Sequence, residues 1–351
     1  MSDIYSTLND YLNEICAYLT YQDAFLLKEI YKIVLLNDRF LQHIGNYDLD
    51  WNPVQNKLTY KDVFLLAREI LATIDSGYLP SFDSLITSGK LDFSFDASYK
   101  DSSCVTFWNK GQIIQKLINV NREFNYNDVI TLIHEFIHYV NAEANTVNRH
   151  YFTEFLSIYF EIYSVLYLLK KDVPRNEMDA LNRIKNLKRA SSQFFQYEIP
   201  LLAFEKIGNI NENTVPLLQK YFVEIKQELF DEHCKWLYDA LEEIKKKNEK
   251  EIKQTPIILG EVLSEEFLTK DYRYILGTIL ALYALKYANM KDIVFLNNHI
   301  GEYENQTIYD ICLRIGIDLK ETNFFENLFA ATDEFMKTVK QDKDFSLTRN
   351  K

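Results

Sequence analysis

Apolar residues recur at helical spacing from the start of the chain. Ile4, Leu8, Leu12, Ile15 and Leu19 form one stripe, and Phe25, Leu26, Ile30, Ile33, Val34 and Leu41 form the next. Residues 3–43 therefore predict two amphipathic packing helices. Tyr47 to Pro53 breaks the pattern, and Asn52-Pro53 favours an extended turn. Leu58-Thr-Tyr-Lys-Asp62 then caps a helix running to about Ile74. From Ser76 to Asn121 the period changes. Gly77, Pro80, Ser81, Asp83, Ser88 and Gly89 punctuate turns, and short alternating runs at Leu91–Phe95, Cys104–Trp108 and Ile113–Val120 predict a small sheet or hairpin. Helical periodicity then returns. Val129, Ile130, Leu132, Ile133, Phe136, Ile137 and Val140 predict a helix buried on most sides, with Asn125, Asn127 and Asp128 as capping side chains. A second apolar-periodic stretch covers Phe152 to Leu169. Asn182–Tyr197 and Val215–Lys247 are long, charged and amphipathic, and Tyr274–Tyr287 has the length of a buried helix. Tyr309–Arg314 reads as helix, Gly316–Leu319 as a turn and Phe324–Val339 as a closing helix. The fold class is mainly α, with a small antiparallel β-sheet or hairpin before the most buried helix.

Composition sharpens this picture. With 9 Gly and 6 Pro in 351 residues, long helices and few turns are expected, and 47% hydrophobic content allows a large core. No Gly/Ser/Pro-rich linker divides the chain, so one body is expected, with an N-terminal helical lobe over 1–54 and a helical domain over 55–345. The net charge of −12 argues against nucleic acid and anionic membranes as partners. Cys16, Cys104, Cys234 and Cys312 form no CxxC and read as reduced thiols of a cytoplasmic chain. The N-terminus lacks the basic and apolar regions of a signal peptide, and no run of 18 apolar residues predicts a membrane span. Lys245-Lys-Lys247 reads as a solvated helix end, and Gly89-Lys90 has no phosphate-loop pattern around it. His233 and Cys234 point apart on a helix, which disfavours a metal there.

The chemistry concentrates in the most buried predicted helix, which contains His134-Glu135-Phe-Ile-His138. Residues four apart stack one turn above each other, so His134 and His138 project from one face, as two ligands of a single Zn²⁺ require. Glu135 is rotated by roughly 100° from His134, within reach of a water beside the metal without being a ligand. With only 6 His in the chain, a chance HExxH is rare. A catalytic zinc needs a third protein ligand and an open position. Glu154 lies in the first turn of the next apolar-periodic stretch, with Ser157 and Glu161 along the same stripe. That suits a ligand at Glu154 and an outer partner for a histidine N–H at Glu161.

This order, HExxH followed by Glu154-Phe-Leu-Ser157-Ile-Tyr-Phe-Glu161, resembles the zinc oligopeptidases of the oligoendopeptidase F and thimet oligopeptidase type, as does Asn127-Asp-Val-Ile-Thr-Leu-Ile leading into His134. The resemblance extends from about Tyr47 to Val339 and makes the chain a short member, with less of the N-terminal helical lobe. It implies one Zn²⁺ per chain held by His134, His138 and Glu154, with Glu135 as general base. It also implies a substrate-binding edge strand at Gln112–Asn121, centred on Ile118, Asn119 and Val120. His150, between the two zinc helices, would either touch substrate or face water. Lys270-Asp-Tyr272-Arg-Tyr274-Ile-Leu-Gly277 is similar to a family element whose region supplies donors over the zinc. A neutral Tyr hydroxyl suits a developing oxyanion, and Tyr272 and Tyr274 are nominated jointly. Three departures stand out. Ile137 replaces the usual Gly, the gap before Glu154 is shorter, and Ser264–Lys270 lacks the family's His.

The resulting expectation is a zinc-dependent endopeptidase acting on unfolded peptides or oligopeptides. Two rivals stand beside it: a metalloprotease directed at one folded protein, and a non-catalytic helical metal-binding or interaction protein.

Overall fold

A computed structural model describes residues 1–18, 58–93, 102–109, 112–141 and 259–260, and most of 39–45, 147–185, 199–254 and 270–341. In chain order the elements are α1 (Ser2–Tyr18), α2 (Tyr60–Ile74), α3 (Leu79–Thr87), β1 (Leu91–Asp92), β2 (Ser103–Asn109), β3 (Gln112–Asn119), α4 (Asn127–Asn141) and α5 (Val147–Lys170). They continue with α6 (Gln227–Gln254), α7 (Lys270–Tyr287), α8 (Met290–His299), α9 (Ile308–Arg314) and α10 (Phe324–Gln341). The fold is mainly helical with one small sheet, and no helix among the described residues is long and apolar enough to cross a membrane. Most of the expected second N-terminal helix, the Tyr47–Pro53 turn and most of Asn182–Tyr197 lie outside the described residues.

The chain divides into two compact units. One comprises Met1–Asn46 with Asn186–Ile275, the other Tyr47–Lys185 with Leu276–Lys351. The expectation of a lobe over 1–54 and one body over 55–345 differs from this division, because the partner of α1 lies far along the chain. Within the first unit Tyr5 and Tyr11 of α1 reach Asp231 and Glu242 of α6, and Asn9 Nδ2 donates to the carbonyl of Ile210 at 2.8 Å.

The second unit contains the HExxH helix. Its α2 starts at a capping box, in which Thr59 and Asp62 satisfy each other's backbone N–H, and ends at Ile74 as expected. The turn residues that follow do not prevent a helix. Ser76–Tyr78 is a 3₁₀ turn and Leu79–Thr87 is α3, because Pro80 sits at the first helical positions, where its missing N–H costs nothing. Phe82 and Leu85 bury the inner side of α3, Phe82 edge-on to Phe136 of α4.

The sheet has the order β1-β3-β2. β2 runs antiparallel to β3 with Cys104 opposite Ile118, and β1 runs parallel to it with Leu91 opposite Ile118. β3 is thus the central strand rather than the edge expected from sequence. At Ile118 and Asn119 it is paired on both sides, with β2 on one and the two-residue β1 on the other. Ile118 and Val120 are buried.

The helix α4 is fixed at both ends. At its start the Asn127 N–H donates to Asn125 Oδ1 at 2.8 Å, and Asp128 accepts the Glu123 N–H at 2.8 Å and Arg122 Nε at 2.5 Å. At its end Lys116 Nζ donates to the Tyr139 carbonyl at 3.0 Å, where the helix leaves carbonyls unsatisfied. Asn141 donates to Asn297 of α8, which in turn donates to the Tyr78 hydroxyl.

Candidate metal centre

The helices α4 and α5 pack against each other and bring their polar residues together inside the second unit. His134, Glu135, Glu154, Ser157 and Glu161 are all buried among apolar neighbours such as Phe136, Phe155 and Phe160. Their placement follows from spacing. Apolar residues of α4 occupy most of the rest of its circumference, and His134 and His138 share the strip facing α5. On α5, Glu154, Ser157 and Glu161 form the matching strip.

The ligand atoms of His134, His138 and Glu154 all lie within 4.8 Å of one another. The two Nε2 atoms are 3.0 Å apart, with the rings at 76°. His134 Nε2 is 3.7 Å from Glu154 Oε2, and His138 Nε2 is 3.6 Å from Glu154 Oε1. A tetrahedral zinc with bonds of about 2.0–2.2 Å sets its ligand atoms about 3.3–3.5 Å apart. The Nε2–Nε2 separation is somewhat shorter than that value, and the two separations to the carboxylate, each to a different Glu154 oxygen, are slightly longer, so the residues fit the ion with small shifts.

An outer contact with an anionic acceptor assigns the proton of His134. His134 Nδ1 lies 3.1 Å from Glu161 Oε2. Burial by itself pushes the Glu161 carboxyl up, but the Arg183 guanidinium and the His134 contact outweigh it and hold the group below the usual glutamate value. Glu161 is therefore an anionic acceptor. It takes the His134 Nδ1–H, and the Nε2 lone pair is left facing His138 and Glu154. His138 Nδ1 stands 3.4 Å from Ser157 Oγ, so its Nε2 also faces the centre.

A close approach of helices sets the position of Glu154. Gly277 of α7 sits so near α5 that a Cβ there would meet Phe155 N at 2.9 Å and the Glu154 carbonyl carbon at 3.1 Å. Only glycine allows this approach to the peptide carrying the carboxylate.

The remaining expected residues are placed as follows. Glu135 lies next to His134 on α4 and is 7% exposed. Ile118, Asn119 and Val120 stand at the end of the central strand β3 and just beyond it. The side chains of His150 and Tyr272 lie outside the described residues, as does the shortened connection at 142–146. Tyr274 belongs to the first unit and the triad to the second. A further residue joins the site. Arg183 reaches Glu161 Oε2 through both Nε and Nη2, each at 2.5 Å. No local signal marks it, because it lies 22 residues from Glu161 among charges that read as solvated.

No protein-family model matches the chain. No curated protein matches it either. Among solved structures it is similar to a Chlamydophila abortus crystal structure described as a "putative peptidase", at 13% identity and a TM-score of 0.47 over 95% of this chain and 55% of that one. It is also similar to a "putative oligoendopeptidase F" of Bacillus anthracis str. Ames, at 12% identity and a TM-score of 0.45 over 93% of this chain and 58% of that one. The chain spans a little over half the length of each.

Proposed function

We propose that the chain is a zinc-dependent endopeptidase that cleaves unfolded peptides or oligopeptides. One observation carries the reading. Two imidazole Nε2 atoms and one carboxylate converge in a buried site, beside a glutamate that is not part of the triangle. His134, His138 and Glu154 would hold the ion. When bound, zinc would supply Lewis acidity at the substrate carbonyl and make water a better nucleophile at neutral pH.

The protein's own groups do the rest. Glu135 accepts the proton of the attacking water on its carboxylate and passes it to the leaving amide nitrogen. Glu161 holds the His134 Nδ1 proton and keeps that ring oriented. A neutral O–H donor for the oxyanion is nominated at Tyr272 or Tyr274. Peptide rather than small-ester substrates are favoured by the sheet. Among the described residues β2 pairs on one side only, and its outer edge offers main-chain groups to an extended chain.

Metal analysis of the purified chain, combined with a quenched-peptide assay, tests the reading. One zinc per chain, with cleavage lost to a chelator and restored by zinc, is the expected result. Stoichiometric zinc without cleavage of any peptide would leave the two rivals, a metalloprotease directed at one folded protein and a non-catalytic metal protein.

A further inference from the structure

We propose that Arg183 is a positioning residue of this centre: it grips Glu161 from outside both helices and thereby keeps the His134 ring aimed at His138 and Glu154. The inference rests on the metal reading above.

The grip is specific. Arg183 Nε and Nη2 both stand 2.5 Å from Glu161 Oε2, the oxygen that also lies 3.1 Å from His134 Nδ1. Three N–H donors thus converge on one atom, and the carboxylate cannot rotate without giving up all of them. Arg183 Nη2 and His134 Nδ1 are 3.2 Å apart. Two donors do not bond each other, so they stand this close because they share an acceptor. The pair is shielded from water, with side-chain exposures of 19% for Arg183 and 8% for Glu161.

The segment that carries Arg183 is itself anchored to the start of the HExxH helix. The Tyr126 N–H donates to the Glu177 carbonyl at 3.1 Å, and the Asp179 N–H donates to Asn127 Oδ1 at 2.7 Å. Lys185 Nζ reaches Asp179 at 3.2 Å, and Met178, Leu181 and Ile184 are buried. The described residues of this strap, 177–181 and 183–185, therefore start at the root of α4 and return to its metal-facing side. It links the helix start to the ligand geometry.

The experiment uses the full chain with Zn²⁺ and Co²⁺ as probes. Zn²⁺ affinity is read by competition with a chromophoric chelator, and ligand geometry by the visible spectrum of bound Co²⁺. R183M is expected to weaken Zn²⁺ binding about 10–100-fold, the usual cost of losing an outer partner of a ligand histidine, and to alter the Co²⁺ spectrum. R183K, which restores charge without the two-nitrogen grip, is expected to recover part of the loss. E161Q should cost a similar factor, and R183M/E161Q no more than the worse single change, because both act through one ring. An R183M protein with unchanged affinity and spectrum would overturn the proposal, as would losses that multiply in the double variant. Should R183M fail to fold, R183K gives the reading: Zn²⁺ affinity below wild type with an altered Co²⁺ spectrum supports the proposal, and wild-type affinity and spectrum overturn it. A wild-type chain that binds neither ion refutes the metal reading and this proposal together. Tight wild-type binding that R183M leaves untouched refutes this proposal alone.

Discussion

Two helix pairs in this protein meet through polar side chains, to opposite ends. In the first unit α1 and α6 meet at Tyr5 with Asp231 and at Tyr11 with Glu242, where Gln227 and Lys245 join them at partly exposed margins. Water can solvate most of those groups if a contact opens. In the second unit α4 and α5 place His134, Glu135, Glu154 and Glu161 in the interior. Burying a carboxylate is costly unless a partner compensates it. Arg183 matches Glu161, and the two imidazoles face Glu154. A helix pair meant only to pack gains nothing from such residues, since apolar ones of similar volume would do as well or better. The first pair spends its polar groups at the margin, for register. The second concentrates them where a cation would repay their desolvation.

The largest expected effect tests that contrast at Glu135. Glu135→Gln keeps the shape of the side chain and removes only its capacity to accept a proton. Peptide cleavage should fall by about 10²–10⁴-fold, while zinc content stays at the wild-type level. Loss of zinc together with activity would mean that Glu135 supports the ligands rather than the chemistry. The corresponding change in the other pair, Glu242→Gln, should leave peptide cleavage and zinc content as in wild type.

A smaller effect is expected at Gly277, where two terms oppose each other. Alanine in a helix interior is favoured over glycine by about 0.8–1.0 kcal/mol. Against that, its Cβ would stand 2.9 Å from a backbone nitrogen that cannot swing aside. Overpacking of this kind costs about 1–3 kcal/mol, so Gly277→Ala should be destabilising on balance in urea unfolding. Because the clash falls on the peptide of Glu154, zinc affinity should drop as well. A G277A protein more stable than wild type, with unchanged affinity, would show that α7 yields without moving the ligand.

These residues also show what the chain reveals without a structure. His134, Glu135 and His138 lie within two helical turns, and Glu154 and Glu161 within three, so local periodicity alone aligns the two histidines on one face with Glu135 beside it, and the two glutamates on another. The long apolar helices and the capped start at Thr59 are legible for the same reason. What escapes is non-local or depends on context. Arg183 looks like any charge on an amphipathic run until its strap is folded against α4. The strand order β1-β3-β2 depends on a parallel pairing between Leu91 and Ile118, which no alternation within either strand encodes. Pro80, Ser81 and Asp83 read as turn residues, and a helix forms there because Phe82 and Leu85 find a core to enter. The partner of α1 lies more than two hundred residues away, so the division into units cannot be read from composition.

The smallest effect belongs to the first pair. Tyr11→Phe removes one hydroxyl, which donates to Glu242 and accepts from Lys245 Nζ at 2.9 Å. Lys245 remains 3.5 Å from Glu242, so the acid keeps a partner, and the loss should be about 0.5–1.5 kcal/mol. The effect should depend on pH in a known sense. The Tyr11 hydroxyl, against a weaker opposing push from burial, holds the Glu242 carboxyl below the usual glutamate value. A depressed acid contributes stability above its unfolded pKa and loses it as pH falls through its folded pKa. The gap between wild type and Y11F should therefore be full at neutral pH and close as Glu242 protonates in acid, when followed by urea unfolding across that range. Zinc affinity should be the same in both proteins at every pH. A Y11F chain that lost zinc would place α1 and α6 in the service of the metal, and the contrast between the two helix pairs would fail.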